Sequence, residues 1–171
     1  YTMLIQRTWA MPSHNTFSIK PIKLLISKYI NDGVWLDPFS RVSPFADKCI
    51  TNDLNTEFEA DYHLESLEFL RLFQDSSVDG VLFDPPYSPR QISECYKSIG
   101  REVHMKDTQS SFYGDRKKEV HRLVKQGGLV LSFGWNSGGI GKSLGFEIIQ
   151  ILLVAHGGAH NDTICTVERK L

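Results

Sequence analysis

Short apolar runs that end in turn residues alternate with amphipathic segments along most of the chain, and this alternation restricts the possible folds. Four runs have the length and composition of buried strands: 34–37, 48–53, 80–84 and 129–135. Two longer stretches, 21–31 and 62–73, repeat apolar side chains at helical spacing. Strands and helices in alternation form a parallel sheet that helices cover. We therefore predict an α/β fold.

The remainder of the chain continues the same pattern. Three further segments are predicted: a brief strand at 60–63, a short helix at 92–99, and a helix at 115–125 that Gln126-Gly127-Gly128 ends. Residues 100–113 are polar and aperiodic, which is typical of a functional loop. Two last strands, 146–155 and 163–168, are predicted to form an antiparallel hairpin through 156–162. Residues 1–171 are long enough for one domain with its own core, and we predict no second one.

The composition excludes several classes of protein. An apolar fraction of 41% and a charged fraction of 23% are ordinary for a soluble domain. No apolar run approaches the ~20 residues that cross a bilayer, and residues 1–10 lack the layout of a secretory signal. We therefore expect no membrane association and a cytoplasmic location. The cysteines Cys49, Cys95 and Cys165 are odd in number and far apart, so we expect buried thiols rather than disulfides.

The net charge of −1 gives no overall attraction to phosphates, so a nucleic acid would need a local basic face. The basic residues cluster in the polar loop and in the helix that follows it: Arg101, Lys106, Arg116, Lys117, Lys118, Arg122 and Lys125. This cluster is either such a face or the solvated side of a helix.

A metal site is suggested only by His156, His160 and Asp162, which are close together in the sequence. A hairpin turn explains the Gly, Asn and Asp residues of this segment equally well, and the chain offers no further ligand cluster. We expect no metal.

The strongest chemical signal is Asp84-Pro85-Pro86-Tyr87, at the carboxyl end of an apolar strand, where ligands bind in open α/β sheets. The exocyclic amine of a nucleobase is a poor nucleophile because its lone pair is delocalised into the ring. The Asp84 carboxylate and the Pro85 carbonyl could accept its two hydrogens and stabilise the charge that develops on nitrogen. The prolines lock φ and so direct that carbonyl, while Tyr87 offers a face on which an extruded base can stack.

This quartet resembles the DPPY motif of DNA adenine-N6 methyltransferases, and an aspartate in first place favours adenine within that family. The resemblance implies S-adenosyl-L-methionine as cofactor, Asp84, Pro85, Pro86 and Tyr87 as catalytic residues, and methylation of the N6 amino group of adenine. It also implies a Rossmann-like fold, with a seven-stranded, mostly parallel sheet whose last strand is antiparallel.

Three other segments are similar to cofactor-binding motifs of the same family. Trp35-Leu36-Asp37-Pro38-Phe39 resembles its DPF motif, although Ser40-Arg41-Val42-Ser43-Pro44 follows where the family usually has glycines. Asp53 resembles its ribose-binding acid, and Asp61 is either a further acid directed at the cofactor or a helix cap. The segment Phe17-Ser18-Ile19-Lys20-Pro21 resembles the strip at the methionine end of the cofactor. The implied cofactor-binding residues are Phe17, Ser18, Lys20, Asp37, Pro38, Phe39, Asp53, Asp61 and Asp84.

The predicted substrate-binding residues follow the quartet and the next strand: Tyr87, Ser88, Arg90, Gln91, Trp135 and Asn136. For Ser88, Arg90 and Gln91 a solvated loop and helix start is an equal alternative, and Trp135 could be a core residue. DNA is the expected partner, with RNA also possible. The alternatives to base methylation are methylation of a protein amide by the same centre, or an inactive binding module that kept the fold.

Overall fold

A seven-stranded sheet organises the computed structural model, which describes residues 2–102, 104 and 110–171. Its strands are Leu4–Trp9 (β1), Trp35–Asp37 (β2), Ile50–Thr51 (β3), Val78–Phe83 (β4), Val124–Gly134 (β5), Phe146–Ala155 (β6) and Thr163–Lys170 (β7). The strand order is β1-β6-β7-β5-β4-β2-β3. Strand β7 is antiparallel to both its neighbours, and every other pair is parallel. The predicted seven-stranded sheet with an antiparallel last strand is confirmed.

Helices cover both faces of this sheet. The α-helices are Lys20–Tyr29 (α1), Ser66–Leu70 (α2), Pro89–Ser98 (α3) and Ser111–Leu123 (α4), with short 3₁₀ turns at Thr16–Ser18 and Lys142–Leu144. Alternate side chains of the central strands enter two separate cores because successive strand residues point to opposite faces. On β4, Leu82 packs in the core that contains α1, whereas Val81 and Phe83 pack in the core that contains α2 and α4.

The first strand was not expected from the sequence. Strand β1 lies at the edge of the sheet, where it pairs with β6 from Leu4↔Gln150 to Trp9↔Ala155. Its side chains are mostly exposed, so the segment lacks the alternation by which a half-buried strand is recognised. The brief strand predicted at 60–63 is reduced to an isolated bridge between Asn52 and Tyr62.

Two predicted helix boundaries are wrong. The helix expected at 62–73 spans only Ser66–Leu70, because Tyr62 bridges to the sheet edge instead. Helix α4 ends at Leu123 and β5 begins at the next residue, so Gly127 and Gly128 lie inside a strand rather than ending a helix. Gly127 has a φ of 77°, and the pairing of β4 with β5 slips between Val78 and Gly80, so these glycines accommodate an irregular stretch of the ladder.

The predicted functional loop at 100–113 lies partly outside the described residues, and its last three residues, 111–113, are helical. None of the helices in the described part of the chain is long and apolar enough to cross a membrane.

Candidate active site

The carboxyl ends of four parallel strands meet at one edge of the sheet. Strands β3, β2, β4 and β5 are neighbours in that order, and their polypeptide continues into Asn52, Pro38, Asp84 and Trp135 respectively. A crevice at this edge is where open α/β sheets bind ligands. Here it holds a cavity of about 720 Å³, a size typical of sites for small ligands and cofactors.

Asp84, Pro85, Pro86 and Tyr87 all line this cavity, as the sequence predicts for a reaction centre. The Tyr87 hydroxyl donates a 2.6 Å hydrogen bond to Oδ1 of Asp84. No described residue donates a hydrogen bond to the carbonyl of Pro85. The quartet thus brings two acceptors to the cavity wall, one carboxylate and one backbone carbonyl.

Burial raises the pKa of Asp84 from its usual value near 3.8 to about 6. Hydrogen bonds from Tyr87 and Thr16 and the positive charge of Arg41 oppose the increase, but they are smaller than the effect of burial. Asp84 therefore holds its proton to a higher pH than a surface aspartate does, although it is mostly ionised above pH 7.

Asp37 is the acid that ends β2, and its side chain is completely buried. Neither carboxylate oxygen has a hydrogen-bond partner among the described residues. Burial first, and then the nearby Asp84 carboxylate, raise its pKa well above the usual range. Pro38 and Phe39, the two residues after it, line the cavity, whereas Asp37 itself lies behind the wall.

The glycine-free segment after Phe39 nevertheless adopts a backbone that favours glycine. Arg41 has a φ of 42°, in the left-handed region. Its N–H donates a 2.9 Å hydrogen bond to Oδ2 of Asp53, and Ser40 donates through both its N–H and its hydroxyl to the carbonyl of Asn52. These bonds hold the loop after β2 against the loop after β3, and Arg41 lines the cavity.

The left-handed backbone predicts an unusual response to substitution at Arg41. Arg41→Gly and Arg41→Ala both remove the guanidinium, but only alanine keeps the Cβ that is strained at positive φ. We expect the glycine variant to be more stable by about 1 kcal/mol in chemical denaturation. At Lys48, an exposed loop residue outside the positive-φ set, the same pair should show the usual order, with alanine more stable. If alanine were the more stable substitution at both positions, the left-handed backbone at Arg41 would be contradicted.

Asp53 and Asp61 have different surroundings. Asp53 lines the cavity, and its carboxylate accepts hydrogen bonds from the N–H groups of Arg41 and Asn55, each at 2.9 Å. Asp61 is exposed and lies outside the cavity lining, with Oδ2 bonded to the N–H and hydroxyl of Thr51. Nor does Asp61 cap α2, whose N-cap is Glu65. The structure therefore places Asp61 away from the cavity that Asp53 lines.

The segment before α1 contributes different residues from those predicted. Phe17 is buried against Phe133, with ring centroids 4.9 Å apart, and borders only a minor cleft beside the main cavity. Ser18, at the end of the 3₁₀ turn, and Lys20, at the start of α1, are exposed and do not line the cavity. Three residues just upstream, which the sequence analysis missed, line it instead: Ser13, His14 and Thr16.

The polar residues after the quartet mainly build the start of α3. Ser88 is the N-cap, and its hydroxyl accepts a hydrogen bond from the N–H of Gln91. The side-chain Oε1 of Gln91 in turn accepts a 2.6 Å hydrogen bond from the N–H of Tyr87. This reciprocal pattern is a form of capping box. Arg90 is exposed, pairs with Glu94 at 2.8 Å and lies outside the cavity lining. In this structure its guanidinium forms an ion pair along the helix.

Trp135 is 40% exposed, so it is not a core residue, and its ring packs edge-on against Tyr87 with centroids 5.8 Å apart. It lies beside the quartet but outside the main cavity lining. Asn136 is also outside that lining, and its side chain accepts a hydrogen bond from the N–H of Gly138. Trp135 can therefore wall the approach to Tyr87, whereas Asn136 stabilises a turn.

Most of the predicted basic cluster is neutralised within the protein. Four cations are paired with acids: Arg101 and Arg116 with Glu65, Arg122 with Asp75 and Glu119, and Lys125 with Asp79. Arg116 is buried. Lys106 lies outside the described residues. The basic face expected for phosphate binding is correspondingly weaker than the sequence suggests.

The remaining candidates are structural. Within residues 2–102, 104 and 110–171, His, Cys, Asp and Glu form no group of three that could hold a metal ion. His156 is buried and bonds to the Ala10 carbonyl and the Thr163 hydroxyl, each at 2.8 Å. Cys49 and Cys165 are partly or fully buried, whereas Cys95 is exposed, contrary to expectation.

Comparison with known proteins agrees with the geometry of the sheet. No protein-family profile matches the sequence, and no curated protein is significantly similar to it. Among solved structures, a SAM-dependent methyltransferase from Archaeoglobus fulgidus superposes with a TM-score of 0.60 at 9% identity, covering 88% of this chain and 92% of that protein. The chain has a methyltransferase fold.

Two further structures support that assignment. The 1,6-didemethyltoxoflavin-N1-methyltransferase of Burkholderia thailandensis, solved with 1,6-didemethyltoxoflavin and S-adenosylhomocysteine, gives a TM-score of 0.55 at 12% identity, covering 86% of this chain and 75% of its own. TrmN from Thermus thermophilus gives 0.60 at 16% identity over 90% of this chain, which spans about half of TrmN (49%). At such identities the similarity establishes the fold alone.

Proposed function

We propose that this protein transfers a methyl group from S-adenosyl-L-methionine to the N6 amino group of adenine in DNA. The observation that carries the proposal is the placement of Asp84-Pro85-Pro86-Tyr87 on the wall of the 720 Å³ cavity, at the carboxyl end of β4. Among the described residues, the Pro85 carbonyl has no donor to satisfy it, so it is available to an incoming N–H group.

In this reaction the chain's own residues orient the amine and stabilise its charge. The Asp84 carboxylate and the Pro85 carbonyl each accept one amine hydrogen, which directs the nitrogen lone pair away from both. As the nitrogen gains positive charge, the partly buried carboxylate stabilises it more strongly than a fully solvated one would. The Tyr87 hydroxyl keeps Asp84 in place through its 2.6 Å bond. Its ring, packed on Trp135, supplies an aromatic surface for the base.

The cavity also suits the cofactor. Pro38, Phe39 and Arg41 form one side, and Asp53 supplies a carboxylate at the end of β3, where such sheets accept ribose hydroxyls. The left-handed backbone at Arg41 lets the loop after β2 turn as a glycine-containing loop would. When bound there, S-adenosyl-L-methionine supplies an electrophilic methyl group.

The raised pKa of Asp84 predicts how activity depends on pH. Only the ionised carboxylate can accept from the amine, and its pKa is about 6. We therefore expect kcat/KM to be constant above about pH 7 and to fall close to tenfold per pH unit below 6. The positive charge of Arg41 lowers the pKa of Asp84. Removing that charge should therefore raise the pKa and move the acid limb of the profile to higher pH. Steady-state rates between pH 5 and 8.5 measure both effects, and a flat profile across that interval would contradict the role of Asp84.

A second candidate is N-methylation of a small heterocyclic molecule. It is favoured by the ion pairs of Arg101, Arg116, Arg122 and Lys125, because these neutralise four members of the basic cluster that was predicted to meet a phosphate backbone. The Burkholderia structure described above is of a methyltransferase named for such a substrate.

Transfer of labelled methyl groups to duplex DNA, single-stranded DNA, RNA, protein and free adenine derivatives tests the proposal. Label in N6-methyladenine of DNA is the expected result. Label only in free bases would favour the second candidate, and label only in RNA or protein would exclude DNA as the substrate. Calorimetry with S-adenosylmethionine separates a binding module from an enzyme, since the absence of any binding would leave no methyl donor.

A further inference from the structure

The peptide bond between Pro86 and Tyr87 is held on both edges. Its carbonyl oxygen, on Pro86, accepts a 2.5 Å hydrogen bond from the Tyr113 hydroxyl. Its N–H, on Tyr87, donates a 2.6 Å hydrogen bond to Oε1 of Gln91. Because a peptide group is planar, bonds on its two opposite edges restrict how the whole plane can tilt or shift.

This plane determines where the reaction centre points. The proline rings lock φ at positions 85 and 86, so the backbone rotations that remain free next to the plane are ψ of Pro86 and φ of Tyr87. With the plane restricted in this way, the Pro85 carbonyl on one side and the Tyr87 side chain on the other are both directed. Tyr87 in turn bonds to Asp84, so the orientation of both proposed acceptors depends on this one peptide.

Both residues that hold the plane are themselves anchored. Gln91 lies in the first turn of α3, which Ser88 caps. Tyr113 lies in the first turn of α4, three residues before Arg116. The buried Arg116 guanidinium donates to the Ser66 hydroxyl at 2.6 Å and to the Phe112 carbonyl at 2.9 Å, which pins the start of α4 to the body of the protein.

We propose that Tyr113 and Gln91 are positioning residues for methyl transfer, which clamp the Pro86–Tyr87 peptide and thereby aim the Pro85 carbonyl and Asp84 at the amine. This inference rests on the proposed function. It gives Gln91, which lines the cavity as the predicted substrate contact would, a part in the geometry of the quartet. It also gives a role to Tyr113, which the sequence places in a polar loop.

Tyr113→Phe tests the clamp because it removes only the hydroxyl. We expect kcat to fall by about tenfold or more, with KM and the Kd for S-adenosylmethionine within about twofold of wild type. Gln91→Met should behave similarly. Gln91→Glu keeps a side-chain oxygen at the same distance from the backbone and should retain most of the wild-type rate. The double variant Tyr113→Phe with Gln91→Met should be little slower than the slower single variant, because both act on one peptide.

Tyr29→Phe is the matched control. It removes an equally short hydroxyl bond, 2.6 Å to Gln150, in a polar network outside the cavity lining. Both tyrosine variants should lose similar thermal stability, but only Tyr113→Phe should lose kcat. Equal kcat in Tyr113→Phe and wild type would overturn the clamp.

A second measurement does not depend on turnover. The Tyr87 bond lowers the pKa of Asp84, so loosening the clamp should raise the titration midpoint of Asp84 in carboxyl carbon NMR, while Tyr29→Phe leaves it in place. If the wild-type protein methylates nothing, the proposed function fails, and the titration of Asp84 is then the test of whether Tyr113 and Gln91 orient the quartet. An unchanged Asp84 midpoint in Tyr113→Phe would then overturn the clamp.

Discussion

Asp84→Ala should reduce methyl transfer by about 10³-fold while the protein remains folded and binds S-adenosylmethionine. Alanine removes the carboxylate that accepts an amine hydrogen and stabilises the developing positive charge, and losing one such preorganised group costs on the order of 10²–10³ in kcat. Asp84→Asn keeps one oxygen acceptor without the charge, so its rate should lie between alanine and wild type. Single-turnover rates with bound cofactor measure the series.

The same position should respond oppositely in stability. A pKa raised from near 3.8 to about 6 means that the folded state binds the proton more tightly than the unfolded state. Ionised Asp84 therefore destabilises the fold by up to about 3 kcal/mol above pH 6, and this penalty disappears as pH falls towards 4. We expect Asp84→Asn to be about 1–3 kcal/mol more stable than wild type at pH 7.5, and no more stable near pH 4.

Denaturant unfolding at pH 7.5 and near pH 4 measures whether Asp84→Asn is more stable than wild type. A substitution that raises stability and lowers the rate is expected for a residue of a reaction centre. If Asp84→Asn is less stable at pH 7.5, the carboxylate is a structural group, and if Asp84→Ala retains wild-type turnover, Asp84 has no part in catalysis.

Gly80→Ala should destabilise the protein by about 3 kcal/mol or more. Gly80 lies in β4 directly beside the Trp35 side chain, and a Cβ built there would come within 2.5 Å of two ring atoms. Trp35 is almost completely buried, so its ring has no room to move away. Overpacking a core in this way typically costs 1–3 kcal/mol, and displacement of a rigid aromatic ring lies at the upper end. Since β4 carries the quartet, methyl transfer should fall as well.

Gly114→Ala in α4 is the matched control. A Cβ there meets nothing within 4 Å, and alanine is the better helix former, so we expect a gain of about 1 kcal/mol. Trp35→Phe should partly rescue Gly80→Ala, which a double-mutant cycle would detect as coupling. Additive effects of the two substitutions would show that the ring is not the obstacle.

The elements that build the cavity edge are the ones that sequence predicts best. The acids Asp37, Asp53 and Asp84 each follow an apolar run, and parallel neighbours bring such strand ends to one edge whatever the details of the helices. The hairpin of β6 and β7 was predictable for a similar reason, because both strands are long and joined locally. Local sequence patterns are sufficient to predict an element when the apolar run and the turn that define it lie within a few residues of each other.

The remaining features depend on contacts between distant parts of the chain. Strand β1 is defined by its pairing with β6, more than 140 residues away, and no burial pattern marks it. The left-handed backbone at Arg41 could not be predicted because the residue at that position is not glycine. Whether Thr16 or Ser18 faces the cavity depends on where α1 begins, and Tyr113 reaches Pro86 across 27 positions. Composition likewise could not reveal that four of the basic residues are already paired.

The turn between β6 and β7 has a practical consequence. Residues 157–162 are exposed, Gly157 and Gly158 have positive φ, and the turn opens on the same side of the sheet as the cavity, because β6 runs in the direction of β5. Exposed loop tips of this kind accept inserted domains. If the proposed function holds, a DNA-binding domain inserted after Gly158 would be tethered at the same edge of the sheet as the cavity without interrupting a strand, and it would direct methylation to the sites that the inserted domain recognises.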